Sequence, residues 1–397
     1  MHSLLCFGSA PSMVQRGAMK PNRLVALLLG GVLGGGWGLA WAQTLTLSPS
    51  LTLSEEYDDN VLLSPTNRQS DFVTSVSPGV RLEFREHPWT VTAAGSLRGM
   101  YYARQPELNS STAHRQGSLA IEFRPTPRLT ASLTDTVVRS LDPGEVDPET
   151  GIITGRFAST KNTLTPAVSY QIDPLTHLRL HYSFSTLRSD SPLAQESDTH
   201  TLGLFVQHQF TPRTSGTLRY AFSRLQAENR PARDAHLPAV GFAHALSPTI
   251  RVSADAGPLF RERPDGSTEI TPGGRLQYEQ EFSRGRFVLA YDRSARVAGV
   301  RGEAATTESL QGTVTLEAAR AVTLRLEAGV RTTREPQTAV DFVGYTAGIR
   351  LDYRVLQWLS VNAGYRYLQQ DDRAGPLDLD RNIIFVGLTA STDAYLY

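Results

Sequence analysis

Along "HLRLHYSFS", residues 177–185, character alternates at every step: Leu178, Leu180, Tyr182 and Phe184 fall on one side, Arg179, His181, Ser183 and Ser185 on the other. A period of two over about ten residues marks a strand with unlike faces. The same pattern follows each of a series of short turn signals, "REHP" at 85, "RPTPR" at 124, "DPLT" at 173, "TPRT" at 211, "SPT" at 247, "SRG" at 283, "ARA" at 319 and "RVLQ" at 354. Their spacing is about 35 to 49 residues, mostly near 36. Between them lie longer polar stretches such as "RQPELNSST", "LDPGEVDPETGIITGRFAS" and "QQDDRAGPLDLD". Tight turns therefore alternate with long loops.

Eight tight turns and nine loops join 18 strands, with 16 or 20 as the neighbouring solutions, and place both chain ends on the tight-turn side. The expected fold class is all-β: a transmembrane, antiparallel, up-and-down barrel. A backbone in hydrocarbon must satisfy its N–H and C=O groups internally, so a sheet crosses lipid only when closed. Closure gives strands an apolar outer face and a polar inner one. No helical i, i+3, i+4, i+7 pattern persists, and a soluble sandwich or propeller would not explain the short and long alternation of connections.

The phase of the alternation nominates an inner wall. Arg98, Arg179, Arg219, Arg251, Arg325, Arg331, Arg350 and Arg366, with Asp255, Asp292, Glu327 and Asp352, are the pore-lining candidates. An arginine facing lipid at mid-depth would cost about 2–4 kcal/mol, so a consistent phase is informative. A cationic wall attracts anions and can hold carboxylate or phosphate in a fork; alternatively these arginines pair with the lumen acids and stiffen the wall. Phe84, Trp89, Phe210, Tyr353 and Trp358 bracket tight turns and form the candidate aromatic girdle.

Residues 1–42 change the picture from fold to location. Lys20 and Arg23 precede an apolar run from Leu24 to Leu39, and Ala40-Trp41-Ala42 offers small residues to a signal peptidase. A cleaved signal peptide over 1–42, with Met19 as an alternative start, leaves 43–397 as the expected outer-membrane barrel. The single cysteine, Cys6, precedes the cut, so the expected mature chain has no disulfide. Charge is balanced at 39 basic and 39 acidic residues, which argues against a nucleic-acid partner.

No chemistry stands out. His177 and His181 share a face but lie roughly 13 Å apart along a strand, too far for one metal ion. The acidic groups Glu55, Glu56, Asp58 and Asp59, Asp371 and Asp372, and Asp378 and Asp380 lack a calcium-loop pattern and read as solvated loops. With no G-x-S-x-G, P-loop or H-E-x-x-H, neither enzyme activity, cofactor nor metal is expected.

One stretch goes further. "LSEEYDDNVLLSPTNRQSDFVTSVSPGVRLEF", residues 53–84, and "DRNIIFVGLTAS", residues 380–391, resemble outer-membrane barrels of the beta-barrel porin 2 type, associated with exopolysaccharide or PEP-CTERM loci. The resemblance implies a conduit for exopolysaccharide export, with outer-membrane lipid and lipopolysaccharide, the barrel-assembly machinery and periplasmic polysaccharide-export components as partners. The chain ends beyond that closing segment in "TDAYLY", which leaves Tyr397 or Phe385 as the terminal aromatic of the assembly signal. A general anion-preferring porin and a plugged, structural or adhesive surface barrel are the alternatives, and residues 141–159 are the single candidate for a constriction loop.

Overall fold

Strands that are apolar on one side and polar on the other can pack their apolar faces together or close into a ring with the polar face inward, and the chain takes the second course. The computed structural model describes residues 44–146, 152–153, 155–191, 196–228, 230–263, 265–298, 303–335 and 340–396. The expected signal segment, Cys6, Met19 and Tyr397 lie outside them.

The first strands are β1 (Thr44–Asp58), β2 (Asp71–Glu86), β3 (Trp89–Tyr102), β4 (Ser110–Thr126), β5 (Leu129–Ser140) and β6 (Ser159–Asp173). There follow β7 (Thr176–Ser189), β8 (Ser197–Thr211), β9 (Thr214–Ala227), β10 (Arg233–Ser247), β11 (Ile250–Glu262) and β12 (Thr268–Phe282). The ring is completed by β13 (Gly285–Ala298), β14 (Glu303–Ala319), β15 (Val322–Glu335), β16 (Val340–Arg354), β17 (Leu359–Asp372) and β18 (Leu379–Ser391). Each pairs antiparallel with its chain neighbours, and β1 pairs with β18, from Ser50↔Ser391 to Asp58↔Ile383. The result is a closed barrel of 18 strands. After a break at Thr392 and Asp393, a short β19 (Ala394–Leu396) resumes the pairing against Leu45–Leu47. A one-turn helix, α1 (Pro143–Val146), sits in the loop after β5.

The eight tight turns fall where proline, glycine and arginine punctuation places them, for instance Pro174-Leu175 between β6 and β7 and Ser283-Arg284 between β12 and β13. Registers fix the faces. Leu51, Leu53, Leu180, Leu204, Leu218, Leu326, Ile349, Val386 and Leu388 point outward, are exposed, and form the belt that lipid covers.

Strands run 12 to 17 residues, longer than the 9–11 that lipid requires. The surplus lies at the long-loop end, where outward positions become charged: Arg224 opposes Asp234, Arg293 opposes Glu308 and Arg334 opposes Asp341. Cross-strand pairing there is supported by the ion pairs between outward charges, and the sheet continues past the belt. A barrel has no central core, and the buried apolar clusters sit inside the long-loop mouth. They comprise Ile152, Ala305, Val340 and Phe342; Val61, Val73 and Tyr102; and Leu63, Ile153 and Leu379.

Candidate functional site: a charged lumen beneath an inward loop

All twelve nominated wall residues lie on the face opposite the exposed apolar belt. Their charges, however, are largely matched. Arg219 is bonded to Asp255, Arg275 to Asp292 at 3.1 Å, Arg350 to Asp352 at 2.9 Å and Arg98 to Glu145 at 3.0 Å. Arg325 stands 3.7 Å from Glu327, and both side chains are about half exposed to the lumen, 55% and 44%. Arg325 and Arg350 are directly opposite across β15 and β16, where like charges repel; the acid two residues on in each strand offsets this. Wet pairs of this kind contribute about 0–1 kcal/mol each.

Among the described residues, Arg179, Arg251 and Arg366 make no ion pair. Glu279, opposite Arg251, is taken by Arg286. His181, inward two positions from Arg179, lies flat on Gly203 of β8, where a Cβ would fall 2.0 Å from its ring. Only glycine leaves room for that ring. The five girdle aromatics point outward at the tight-turn end, with Trp89 stacked on Phe123 at 4.3 Å. A second outward set near the opposite rim, including Tyr101, Tyr182, Tyr220 and Tyr365, also belongs to the surface and was not singled out from sequence.

The loop after β5 folds into the barrel. Ile153 is clamped by Gln370 on β17: its N–H donates to Oε1 at 2.8 Å and its carbonyl accepts from Nε2 at 2.9 Å. Ile152 packs against Ala305 of β14 and Phe342 of β16, on the wall opposite β5. Back toward β5, Glu145 accepts from Ser140 at 2.6 Å and from Arg98, and lies 2.9 Å from His114 Nδ1. Arg156 donates to the Tyr102 hydroxyl at 2.5 Å and covers its ring. The described residues of the loop thus touch both walls of the mouth.

Sequence separation hides the third part of the site. β1 and β18 meet at the seam, so Tyr57-Asp58-Asp59-Asn60 and Asp380-Arg381-Asn382 become one network. Arg381 donates to Asp58 at 2.7 Å and to Asp142 at 2.6 Å, with only 14% of its side chain and 6% of that of Asp58 exposed. Asp59 accepts from the Asn382 backbone at 2.8 Å and side chain at 2.7 Å, and from Arg68. Asn60 donates to the carbonyls of Ser64 and Asp380. This corrects the reading as solvated loops for Asp58 and Asp372, while Glu55, Asp378 and Asp380 are exposed. Asp58 and Asp372 are buried, and Asp372 accepts the backbone N–H groups of Ala374 and Leu377.

Two loop carboxylates show the electrostatic consequence. Burial raises the pKa of Glu145, but the hydrogen bond to His114, the charge of Arg98 and the hydrogen bond from Ser140 outweigh it and hold the group far below the usual range. Burial likewise raises Asp59, and the Asn382 bonds with Arg68 bring it below its ordinary value. A depressed folded pKa gives stability that is complete above the unfolded value and lost only as pH falls through the folded one. The loop is therefore expected to stay docked through about pH 4–5, the range in which an ordinary glutamate titrates. Single-channel conductance of the wild type should stay level across that interval, while Glu145→Gln should be raised already at neutral pH. A wild-type step between neutrality and that range would remove Glu145 from the role.

No protein-family model matches the sequence, and no curated protein is similar to it, so the resemblance in residues 53–84 has no family match behind it. Solved structures are similar in fold. OccAB4 of Acinetobacter baumannii shares 11% identity at a TM-score of 0.46, over 88% of this chain and 98% of that one. The outer membrane protein OpdK of Pseudomonas aeruginosa shares 9% at 0.48, over 88% and 99%. A BenF-like porin of Pseudomonas fluorescens Pf-5 shares 9% at 0.47, over 89% and 100%. What this chain has in common with them is the closed antiparallel barrel.

Proposed function

We propose that the protein is a passive diffusion channel for small hydrophilic solutes, with a preference for anions. The observation that carries this reading is the loop held at Gln370 and Phe342: a polymer needs an unobstructed bore, and here folded chain stands in it. Export of exopolysaccharide, with its periplasmic partners, is therefore the weaker reading. Below the loop the wall is polar; Arg179 and Arg251 are cationic sites with no ion-pair partner among the described residues, and Arg366 forms no direct ion pair but lies within electrostatic reach of Glu56. Anions gain from those sites without being trapped, because the surrounding ion pairs are solvated. Outer-membrane lipid and the assembly machinery are the partners on this reading.

The test is single-channel recording of the refolded barrel under a salt gradient. Stable, anion-preferring steps are expected, and Arg179→Ala/Arg251→Ala/Arg366→Ala should bring the anion-to-cation permeability ratio toward unity with conductance preserved. Silence from a folded barrel would point instead to a plugged, structural one; unchanged selectivity in the triple variant would take the preference away from these arginines.

A further inference from the structure

The outer surface carries a dent in its apolar belt. Gly95 of β3 and Gly117 of β4 are directly opposite and both point outward, with Val80 beyond one and Val137 beyond the other. Two adjacent missing side chains open a groove of about 650 Å³, walled by Pro78, Val80, Leu97 and Val137. The next outward positions toward the long loops are Leu97, Arg115 and Arg139, in one row.

Arg115 and Arg139 are cross-strand partners, which breaks the rule followed elsewhere at this level. Arg224, Arg293 and Arg334 each oppose an acid, at 3.4, 3.1 and 3.3 Å. Here two guanidiniums oppose each other, an arrangement that destabilises a sheet unless an anion joins them. Arg115 is held by Thr112 Oγ1 at 2.9 Å and has no acid partner among the described residues. Arg139 donates to Thr160 Oγ1 at 3.2 Å and reaches an exposed Asp190 only at 3.8 Å. Asp135, hydrogen-bonded by Asn162 at 3.1 Å, does not line the groove.

We infer that this is a binding site for one phosphorylated, acylated lipid of the outer leaflet, of lipid A chemistry. Long loops mark the outer side of such barrels, so the arginine pair lies at the outer headgroup level. A phosphate bridging Arg115 and Arg139 accepts forked hydrogen bonds from both and cancels their repulsion. One acyl chain fills the space that Gly95 and Gly117 leave, taking its apolar surface and that of Val80, Leu97 and Val137 out of contact with neighbouring lipid chains.

The test uses the full-length barrel in detergent and native mass spectrometry with diphosphorylated lipid A, dephosphorylated lipid A and inorganic phosphate as separate probes. One diphosphorylated lipid A is expected to be retained. Arg115→Gln/Arg139→Gln should lower retention by about tenfold, as loss of a charge-assisted contact does. Gly95→Leu should do the same by filling the groove; a Cβ there meets nothing closer than 3.8 Å, so the strand accommodates it. Arg224→Gln serves as a control with no loss, and heat-modifiable gel mobility establishes that each variant is folded. Equal retention by all variants, equal retention of dephosphorylated lipid, displacement by inorganic phosphate alone, or a discrete oligomer dissolved by Gly95→Leu would each overturn the assignment, the last in favour of a second copy of the chain.

Discussion

Arg381→Ala is expected to destabilise the barrel by about 3–5 kcal/mol, the cost of stranding a buried charge whose partner is removed. Arg381 is the common partner of Asp58, which ends the first strand, and Asp142, which opens the inward loop. Its loss leaves two carboxylates facing each other with little water to screen them. The measurement is the heat-modifiability midpoint of the refolded protein, with Arg350→Ala as reference. That lumen pair is about half exposed, 47% and 41%, and its removal should cost about 0–1 kcal/mol. If the two variants melted alike, the seam network would be an ordinary surface pair. Asp58→Asn gives a second view, since it removes one charge while keeping a hydrogen-bonding group of the same size.

The second large effect concerns flow. Replacing residues 143–157 by a short glycine-serine link should raise single-channel conductance severalfold, because it removes the Ile152 and Ile153 contacts on the opposite wall. Gln370→Leu should give an intermediate rise: the clamp on Ile153 is lost, while the apolar packing of Ile152 against Phe342 survives. Arg381→Ala should also increase conductance, since Asp142 is released with the seam. A deletion variant that conducts like the wild type would end the idea that this loop sets the aperture, whatever its contacts.

Much of this was legible in the sequence, for a physical reason. Lipid and water impose opposite demands on adjacent residues, so the phase at Leu178 and Arg179, or at Leu326 and Glu327, is written locally and each strand can be read alone. The tight turns were legible because Pro174, Pro212 and Pro248 fall in short polar clusters between alternating runs, whereas Pro166, Pro238 and Pro258 lie within such runs and are taken into the strands. What stayed hidden was whatever depends on closure. Asp58 and Arg381 are 323 residues apart, and no local pattern announces that they meet. Locally their motifs carry only a family resemblance; in the closed ring they pin the first strand to the last. Parity assigns the wall arginines to one face of their strands, but parity says nothing of register between strands. Which arginines find an acid, as Arg219 does, and which do not, as with Arg179, depends on that register. The loop over residues 141–159 was a candidate by length alone; its anchor, Gln370, is an unremarkable polar residue until the barrel brings it opposite.

Asp142 and Asp58 share the guanidinium of Arg381, so the contact that ties the final strand to the first also holds the start of the inward loop. Ring closure across more than 300 residues carries the largest entropy of any contact in the chain and comes late. Closure of the ring and width of the bore are therefore coupled through one side chain: what loosens the seam at Arg381 also frees one end of the segment that narrows the mouth.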